Sequence, residues 1–482
     1  MKEILKKAKE LAERVKKEEF VRIITHIDAD GITSGAIALE SLRRAGIECD
    51  IEFVKNLSPD IIEKYSNEFI WFTDLGSGSI RDIVNLGVRC IITDHKNSGQ
   101  TEIQKRRVNF RFIRCIITDH HIPNGHFRYQ LNPHDFGYDG SYDLSGSGTT
   151  YLVAKFLSPF NHSDLIQLAI VGAVGDLQDS KECRLMGLNR YLVEEGVKHG
   201  FLRAERDLRF FGKQTKPVFK MLEYNYDPYI IGISGNERGA IDLMKRLGIP
   251  LKEENWRRWI DLNLYEKRAI ISELVKICII NKYPINVIKR IVGECYILLK
   301  QKEGTELRDA MEFSTLLNAT ARYDHAEIGL RVCFGVLNFC DEFAFKKARK
   351  LLQKHRKNLS EGLRIALDRL EDYGNVQFFH ARDEIIDTIV GIVAGMCYCR
   401  ADLNKPIVAF ANCDEGVKVS ARATQRLVDL GLNLAEAMRK ACEKVGGEGG
   451  GHKIAAGAVI PKGKEWEFLE EFSRIVGEQI KI

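Results

Sequence analysis

Apolar residues recur at Ile4, Leu5, Ala8, Leu11, Ala12 and Val15 with Lys and Glu between them, a spacing that predicts an amphipathic helix over residues 1–18. The period then changes. Apolar runs of strand type, VRIIT at 21–25, IEF at 51–53, FIWFT at 69–73 and VRCIIT at 88–93, alternate with helix-like segments at Ser34–Ala45, Pro59–Tyr65 and Ile80–Leu86. Such alternation predicts βαβ units around a buried parallel sheet. From about Ser180 to about Lys300 the text turns helical and basic, without a comparable strand rhythm. From about Leu307 helices mix again with strands such as PIVAFA at 406–411, and the chain then runs into the glycine-dense GGEGGGHKIAAGAVIP of 446–461. The expected architecture is α/β, with a parallel-sheet domain over 1–180, a helical insert over 181–305 and a C-terminal α/β domain over 306–482.

The heptapeptide RCIITDH occurs twice, from Arg89 and from Arg114, 25 residues apart. Seven identical residues in a row point to a local duplication. Two copies of one strand compete for one slot in the sheet.

Composition narrows the function classes. The 482 residues carry 72 Lys+Arg against 67 Asp+Glu, a net charge of +5, and are 45% hydrophobic and 29% charged, which excludes a disordered or fibrous chain. No apolar run reaches the roughly 18 residues of a membrane span, and the basic N-terminus lacks a signal peptide's apolar core, so a cytoplasmic protein with no membrane association is expected. The twelve cysteines include no C-x-x-C pair, which argues for reduced, mostly buried thiols rather than structural zinc or disulfides. The mildly basic balance permits a nucleic-acid partner without demanding one.

The strongest chemical signal is THIDADG at 25–31, directly after the first buried run. If the chain stays extended there, His26, Asp28 and Asp30 point to one side, and Gly31 lets it turn into a helix near Ser34. A single Asp in such a turn is usually a helix cap, but three acidic or imidazole groups crowded together repel unless cations sit between them. Asp74 closes FIWFT, Asp119, His120 and His121 close the second RCIIT, and Asp176 ends the apolar helix LIQLAIVGAVG. In an open parallel sheet, residues beyond the carboxyl ends of strands gather at one crevice. A mixed carboxylate and histidine set suits Mn²⁺, or Mg²⁺, better than calcium. With this many ligands the natural arrangement is two metals bridged by one carboxylate, which suits metal-assisted phosphoester hydrolysis. No G-x-x-x-x-G-K-[ST] loop is present.

HIDADG, the isolated Asp74, DHH at 119–121 and GAVGD ending at Asp176 together resemble the four motifs of the DHH phosphoesterase superfamily. GGHKIAAG at 450–457 resembles the signature of its DHH-associated domain, and RDAMEFSTLLNATAR at 308–322 is similar to archaeal RecJ-like exonucleases, including the GINS-associated nuclease. The resemblance implies that Asp28, Asp30, Asp74, His120 and Asp176, with His26 in some members, hold the metals and that Asp74 bridges them. It implies that His121 contacts the scissile phosphate and assists the leaving group while Asp119 orients the histidines. Gly450, Gly451, His452, Ser420 and Arg422 would hold the phosphate side of the substrate, with Asn318 and Arg322 as further strand-binding candidates. Asp94 fits the family's usual spacing better than Asp119, yet the first copy reads Asp94-His95-Lys96. Only the second continues into HIPNGHF as the family does. The second copy is therefore the expected occupant of the sheet, with Asp94 and His95 a displaced spare.

Lys346, Lys350, Lys354 and Lys357 form one stripe if FKKARKLLQKHRK is helical, suited either to a nucleic-acid backbone or simply to solvent. Lys105, Arg106, Arg107, Arg111 and Arg114 invite the same two readings. Trp256 and Trp259 suit base stacking less than a small core of the insert. The expectation is a two-metal exonuclease on single-stranded DNA or RNA, serving DNA replication or repair, with GINS as the partner the resemblance implies. Three rivals stay open: a phosphoesterase of short oligonucleotides or nucleotide phosphates, a catalytically silent replication scaffold, and a pyrophosphatase.

Overall fold

Phe20–His26 forms β1, whose apolar positions bury it between two neighbours in a five-stranded sheet. The protein is seen in a computed structural model that describes residues 1–89, 113–157, 162–338 and 341–480, with backbone alone for 87–89. It divides into two compact units, Met1–Leu351 and Leu352–Ile482. Among the described residues no helix is long and apolar enough to cross a membrane.

The first sheet has the order β2-β1-β3-β4-β5, with β2 at Glu48–Val54, β3 at Phe69–Thr73, β4 at Arg114–Thr118 and β5 at Gln130–Leu131, every neighbour parallel. Parallel pairing needs crossovers, and α1 (Lys2–Val15), α2 (Ala29–Arg44), α3 (Pro59–Lys64) and α4 (Ile80–Arg89) accompany these strands. Strand β3, FIWFT, is buried along its whole length, as a strand covered on both faces must be. The Trp71 indole donates to Thr118 Oγ1 at 2.9 Å, so β3 and β4 are linked through side chains as well as backbone.

The slot beside β3 is filled by the second RCIIT, which confirms the expected choice between the copies. The first copy does not begin as the expected strand over 88–93. Residues 88 and 89 close α4 instead. Asp94 and His95, like Lys105, Arg106, Arg107 and Arg111, lie outside the described residues.

Three helices, α5 (Gly146–Ala154), α6 (Ile166–Gly175) and α7 (Gly187–Lys198), complete this region, and α5 and α6 are buried on all sides. The insert is not purely helical. Beside α8 (Val218–Glu223), α9 (Glu237–Arg246), α10 (Leu264–Ile280) and α11 (Ile285–Lys289) it holds an antiparallel pair, β6 (Leu202–Leu208) with β7 (Val292–Leu298). Strand β6 reads LRAERDL, buried only at its two leucines, so it offers no apolar run for sequence reading to catch. Trp259 is 1% exposed within the insert's core and its indole donates to Asp207 at 2.9 Å, whereas Trp256 is 51% exposed against Phe219.

Helix α12 (Ala310–Arg322) packs on α2, α6 and β7, followed by α13 (Ala326–Leu337) and α14 (Glu342–Arg369). Its Glu312 carboxylate is buried and accepts from the Gln214 N–H at 2.7 Å and the Thr215 hydroxyl at 2.6 Å. Lys213, also buried, lies 3.4 Å from Asp309.

The second unit is a six-stranded mixed sheet, β12-β13-β11-β10-β9-β8, built from β8 (Glu371–Tyr373), β9 (Val376–His380), β10 (Ile407–Cys413), β11 (Gly416–Arg422), β12 (Glu448–Gly451) and β13 (Ala455–Ile460). Helices α15 (Asp387–Met396), α16 (Gln425–Asp429), α17 (Leu434–Val445) and α18 (Glu465–Gln479) belong to it, and Phe468, Phe472, Phe410 and Met438 centre its core. The ten cysteines among the described residues are all free, six of them buried.

Burial and the neighbouring Asp309 raise the Glu312 carboxyl from an ordinary 4.5 to about 7. A folded-state value above the unfolded one adds stability at acid pH that disappears as pH rises through the folded value. Between pH 5 and 8, wild type should lose on the order of 3 kcal/mol of unfolding free energy relative to Glu312→Gln, measured by urea denaturation of both proteins across that range.

Candidate metal centre at the carboxyl edge of the parallel sheet

After β1 the chain does not stay extended. Asp28 is the N-cap of α2, its carboxylate accepting the Gly31 N–H at 2.9 Å, and the helix begins at Ala29 rather than near Ser34. A side chain at 31 would place its Cβ 2.1 Å from the His26 carbonyl oxygen, so only glycine permits this turn. Asp30 therefore lies in the first turn of α2 instead of beside His26 and Asp28 on one strand edge. Its carboxylate accepts the N–H groups of Gly146 at 2.7 Å and Ser147 at 3.0 Å, at the positive end of α5.

Asp74 leaves the end of β3 with φ 58°, and its N–H donates to the Thr118 carbonyl at 2.8 Å. The side chain is 1% exposed and faces two ways. Oδ2 lies 3.7 Å from His26 Nδ1, which is itself 3.0 Å from Asp28 Oδ2. Oδ1 lies 3.2 Å from His120 Nε2, which is 3.8 Å from both Asp30 Oδ2 and Asp176 Oδ2. Two ligand groups result, His26–Asp28–Asp74 and Asp30–His120–Asp176, each with its donor atoms within 4.8 Å of one another. A third, Asp74–Asp119–His120–His121, overlaps them. In a sheet of order 2-1-3-4-5 this is the crevice beside the reversal between β1 and β3.

The electrostatics fit cations. Burial pulls the His26 and His120 imidazoles down, but adjoining carboxylates, Asp28 for the first and Asp176 and Asp74 for the second, hold both well above their ordinary range. Burial, with Asp74 nearby, raises Asp30, and burial pushes Asp176 to about 6. Asp74 Oδ1 is buried without a well-aligned hydrogen bond, and a Cβ on Gly146 would come within 2.3 Å of it. Oxygen and imidazole donors converge here, a set suited to hard divalent ions.

The DHH loop is held from behind. Asp119 Oδ1 accepts from His121 Nδ1 at 2.8 Å and from the His120 N–H at 2.7 Å, while Oδ2 accepts the Ser77 N–H at 2.9 Å. Its carboxyl is held well below the usual range against burial, chiefly by His121. Burial draws the His121 imidazole down, yet Asp119 keeps it at about 8. Its side chain is 46% exposed, so it can hold a proton at the mouth of the site. His120 Nδ1 donates to the Gly140 carbonyl at 2.8 Å, which turns Nε2 to the cluster. Ser77, Gly140, Gly146 and Ser147 escaped sequence reading because they act through backbone atoms; the Gly/Ser density of LGSGS and SGSG was the available signal.

Asn318 Oδ1 accepts the Ala29 N–H at 3.0 Å, and Arg322 helps to lower Asp28. Both stand on α12 beside the first turn of α2. In the second unit Ser420 and Arg422 on β11 register with Gly457 and Ala455 of β13, and Gly450 and Gly451 on β12 with Gly457 and Ala456. These strands place the four residues around one stretch of β13, followed by the exposed His452. Gly391 of α15 leaves room for the Arg422 guanidinium and the Ser420 hydroxyl. Lys346, Lys350, Lys354 and Lys357 are exposed on α14, and Arg114 pairs with Glu18 at 3.0 Å.

Known proteins bear on this arrangement. The N-terminal domain of the DHH family matches residues 20–173, the DHH-CID domain 210–292 and the DHHA1 domain 375–481. The uncharacterized protein MJ0831 of Methanocaldococcus jannaschii is 32% identical over 490 aligned residues, covering 100% of this chain and 99% of that one. Among solved structures, RecJ of Thermus thermophilus in complex with Mn²⁺ superposes with a TM-score of 0.58 at 17% identity, covering 98% of this chain but only 55% of RecJ. CDC45 of Entamoeba histolytica gives 0.59 at 13% identity over 97% of each chain. With three DHH-type domains matched in order and a relative alike from end to end, the chain belongs to the DHH superfamily of phosphoesterases, and its fold is RecJ-like.

Proposed function

We propose that this protein is a two-metal phosphodiesterase that degrades single-stranded nucleic acid from an end. The observation that carries the proposal is Asp74, whose two buried oxygens face two separate ligand groups and so fit a bridging carboxylate. His26 and Asp28 would hold one ion and Asp30, His120 and Asp176 the other, with Mn²⁺ preferred and Mg²⁺ accepted. Such ions supply an activated water and neutralise charge on the phosphoryl oxygens during in-line displacement.

The chain's own residues do the rest. Asp119 fixes the His121 ring, and His121, holding a proton near neutral pH, donates it to the departing oxygen. Asp30 keeps its place through the N–H groups of α5, so this ligand is preorganised by backbone. Ser420, Arg422, Gly450, Gly451 and His452 would bind phosphate on the C-terminal side, where glycines allow close backbone approach. Asn318 and Arg322 would border the strand, and the α14 lysines would track its backbone. This reading uses the division 1–180, 181–305 and 306–482 as nuclease core, insert and substrate-binding region, and it places the protein in the cytoplasm, in DNA replication or repair beside a GINS-type partner. The similar exonuclease RecJ, solved bound to manganese, supports the metal and the nuclease class.

Purified protein with Mn²⁺ should release mononucleotides from long end-labelled single strands, and Asp74→Ala should slow this by about 1000-fold or more. Cleavage of only a dinucleotide, or of pyrophosphate, would replace this reading with a small-substrate one, and binding without cleavage would make the protein a scaffold. Affinity for long strands should fall as salt rises. Replacing Lys346, Lys350, Lys354 and Lys357 together by Ala should flatten the log–log slope by about 3, measured by fluorescence anisotropy from low to high salt.

A further inference from the structure

Gln178 is fully buried, two residues beyond Asp176, and no part of the ligand set described above includes it. The chain brings it inward by a sharp reversal. Asp176 ends α6, its N–H donating to the Gly172 carbonyl, and Leu177 then takes φ 57° with its side chain 68% exposed. The Gln178 N–H turns back to the Ala173 carbonyl at 3.1 Å. A leucine seldom adopts this left-handed conformation, and its effect here is to send Asp176 and Gln178 to the same interior.

The Gln178 amide then makes three contacts. Nε2 donates to the Gly140 carbonyl at 2.8 Å and to Asp176 Oδ2 at 3.0 Å, and Oε1 accepts from Asn189 Nδ2 at 2.6 Å. The same Gly140 carbonyl accepts from His120 Nδ1 at 2.8 Å. The two nitrogens stand 3.4 Å apart, as two donors converging on one oxygen do. This pattern fixes the amide's orientation. Flipped, it would set an oxygen against a carbonyl and a carboxylate, and an NH₂ against the NH₂ of Asn189. Glutamate would bring negative charge against Asp176, and an apolar residue would supply neither donor.

We propose that Gln178 is a positioning residue that ties Asp176 and His120 into one rigid frame for a divalent ion. It touches no substrate; it acts by holding one ligand directly and the other through a shared carbonyl. Asn189 backs it, and it reaches neither ligand itself. The inference rests on the metal-centre reading above and adds to it a residue that sequence motifs do not mark.

The test uses the full chain, with Mn²⁺ titrated in and bound ion read by EPR. Gln178→Met keeps the length of the side chain and removes the amide. Its Mn²⁺ dissociation constant should rise about 10- to 100-fold, and Asn189→Ala should raise it a few-fold in the same direction. Leu243→Ala, in the insert's core, should lower the melting temperature and leave Mn²⁺ affinity unchanged. Wild-type affinity in Gln178→Met overturns the inference, as does an equal loss in Leu243→Ala, which would make the effect one of stability alone. If Gln178→Met does not fold, Asn189→Ala decides, and unchanged affinity there overturns the proposal. Failure of the wild type itself to bind Mn²⁺ would remove the metal centre, a result distinct from any of these.

Discussion

Asp28, Asp30, Asp74, Asp119 and Asp176 lie together at one buried edge, and the rest of the first unit is arranged around making that tolerable. Carboxylates taken out of water repel one another unless each finds a donor or a cation. Asp28 has the start of its own helix, Asp30 the start of another, and Asp119 a loop N–H and an imidazole. Asp74 Oδ1 has no well-aligned hydrogen bond, only the His120 imidazole at 3.2 Å. Asp74 is the carboxylate answered by the imidazoles of His26 and His120 alone, one on each oxygen, and it stands where the strand order reverses.

Much of this was legible in the chain. FIWFT and RCIIT announce buried parallel strands because burial on both faces erases polar alternation. The ends of those strands then locate Asp74 and Asp119 without any coordinates. THIDADG marked the candidate ligands but not their geometry, since one aspartate cannot be told as cap or as edge residue until the helix start is known. The helix begins early because Asp28 is a good cap and Gly31 fits under the His26 carbonyl. Residues acting through backbone atoms, Gly140 and Ser77 above all, carry no mark in their side chains. Strand β6 was hidden for the opposite reason. Its middle is polar, so the pairing with β7 is set by tertiary context and not by an apolar run.

Helix α12 shows how the insert is joined to the chemistry. Near one end Glu312 receives the 214–215 loop, and two turns later Asn318 receives the N–H of Ala29, beside the Asp28 cap. A single rigid helix thus touches both the insert and the first turn of α2.

The free cysteines bear on which ions the carboxylate and imidazole cluster could hold. Burial pushes the thiols of Cys115 and Cys397 to about 12, and those of Cys295 and Cys442 to about 11. Thiolates, not thiols, capture copper(I) or cadmium and react with peroxide. A protein whose sulfur stays protonated in its interior offers such ions and oxidants little purchase, and its oxygen and imidazole donors face less competition from sulfur for the harder metals.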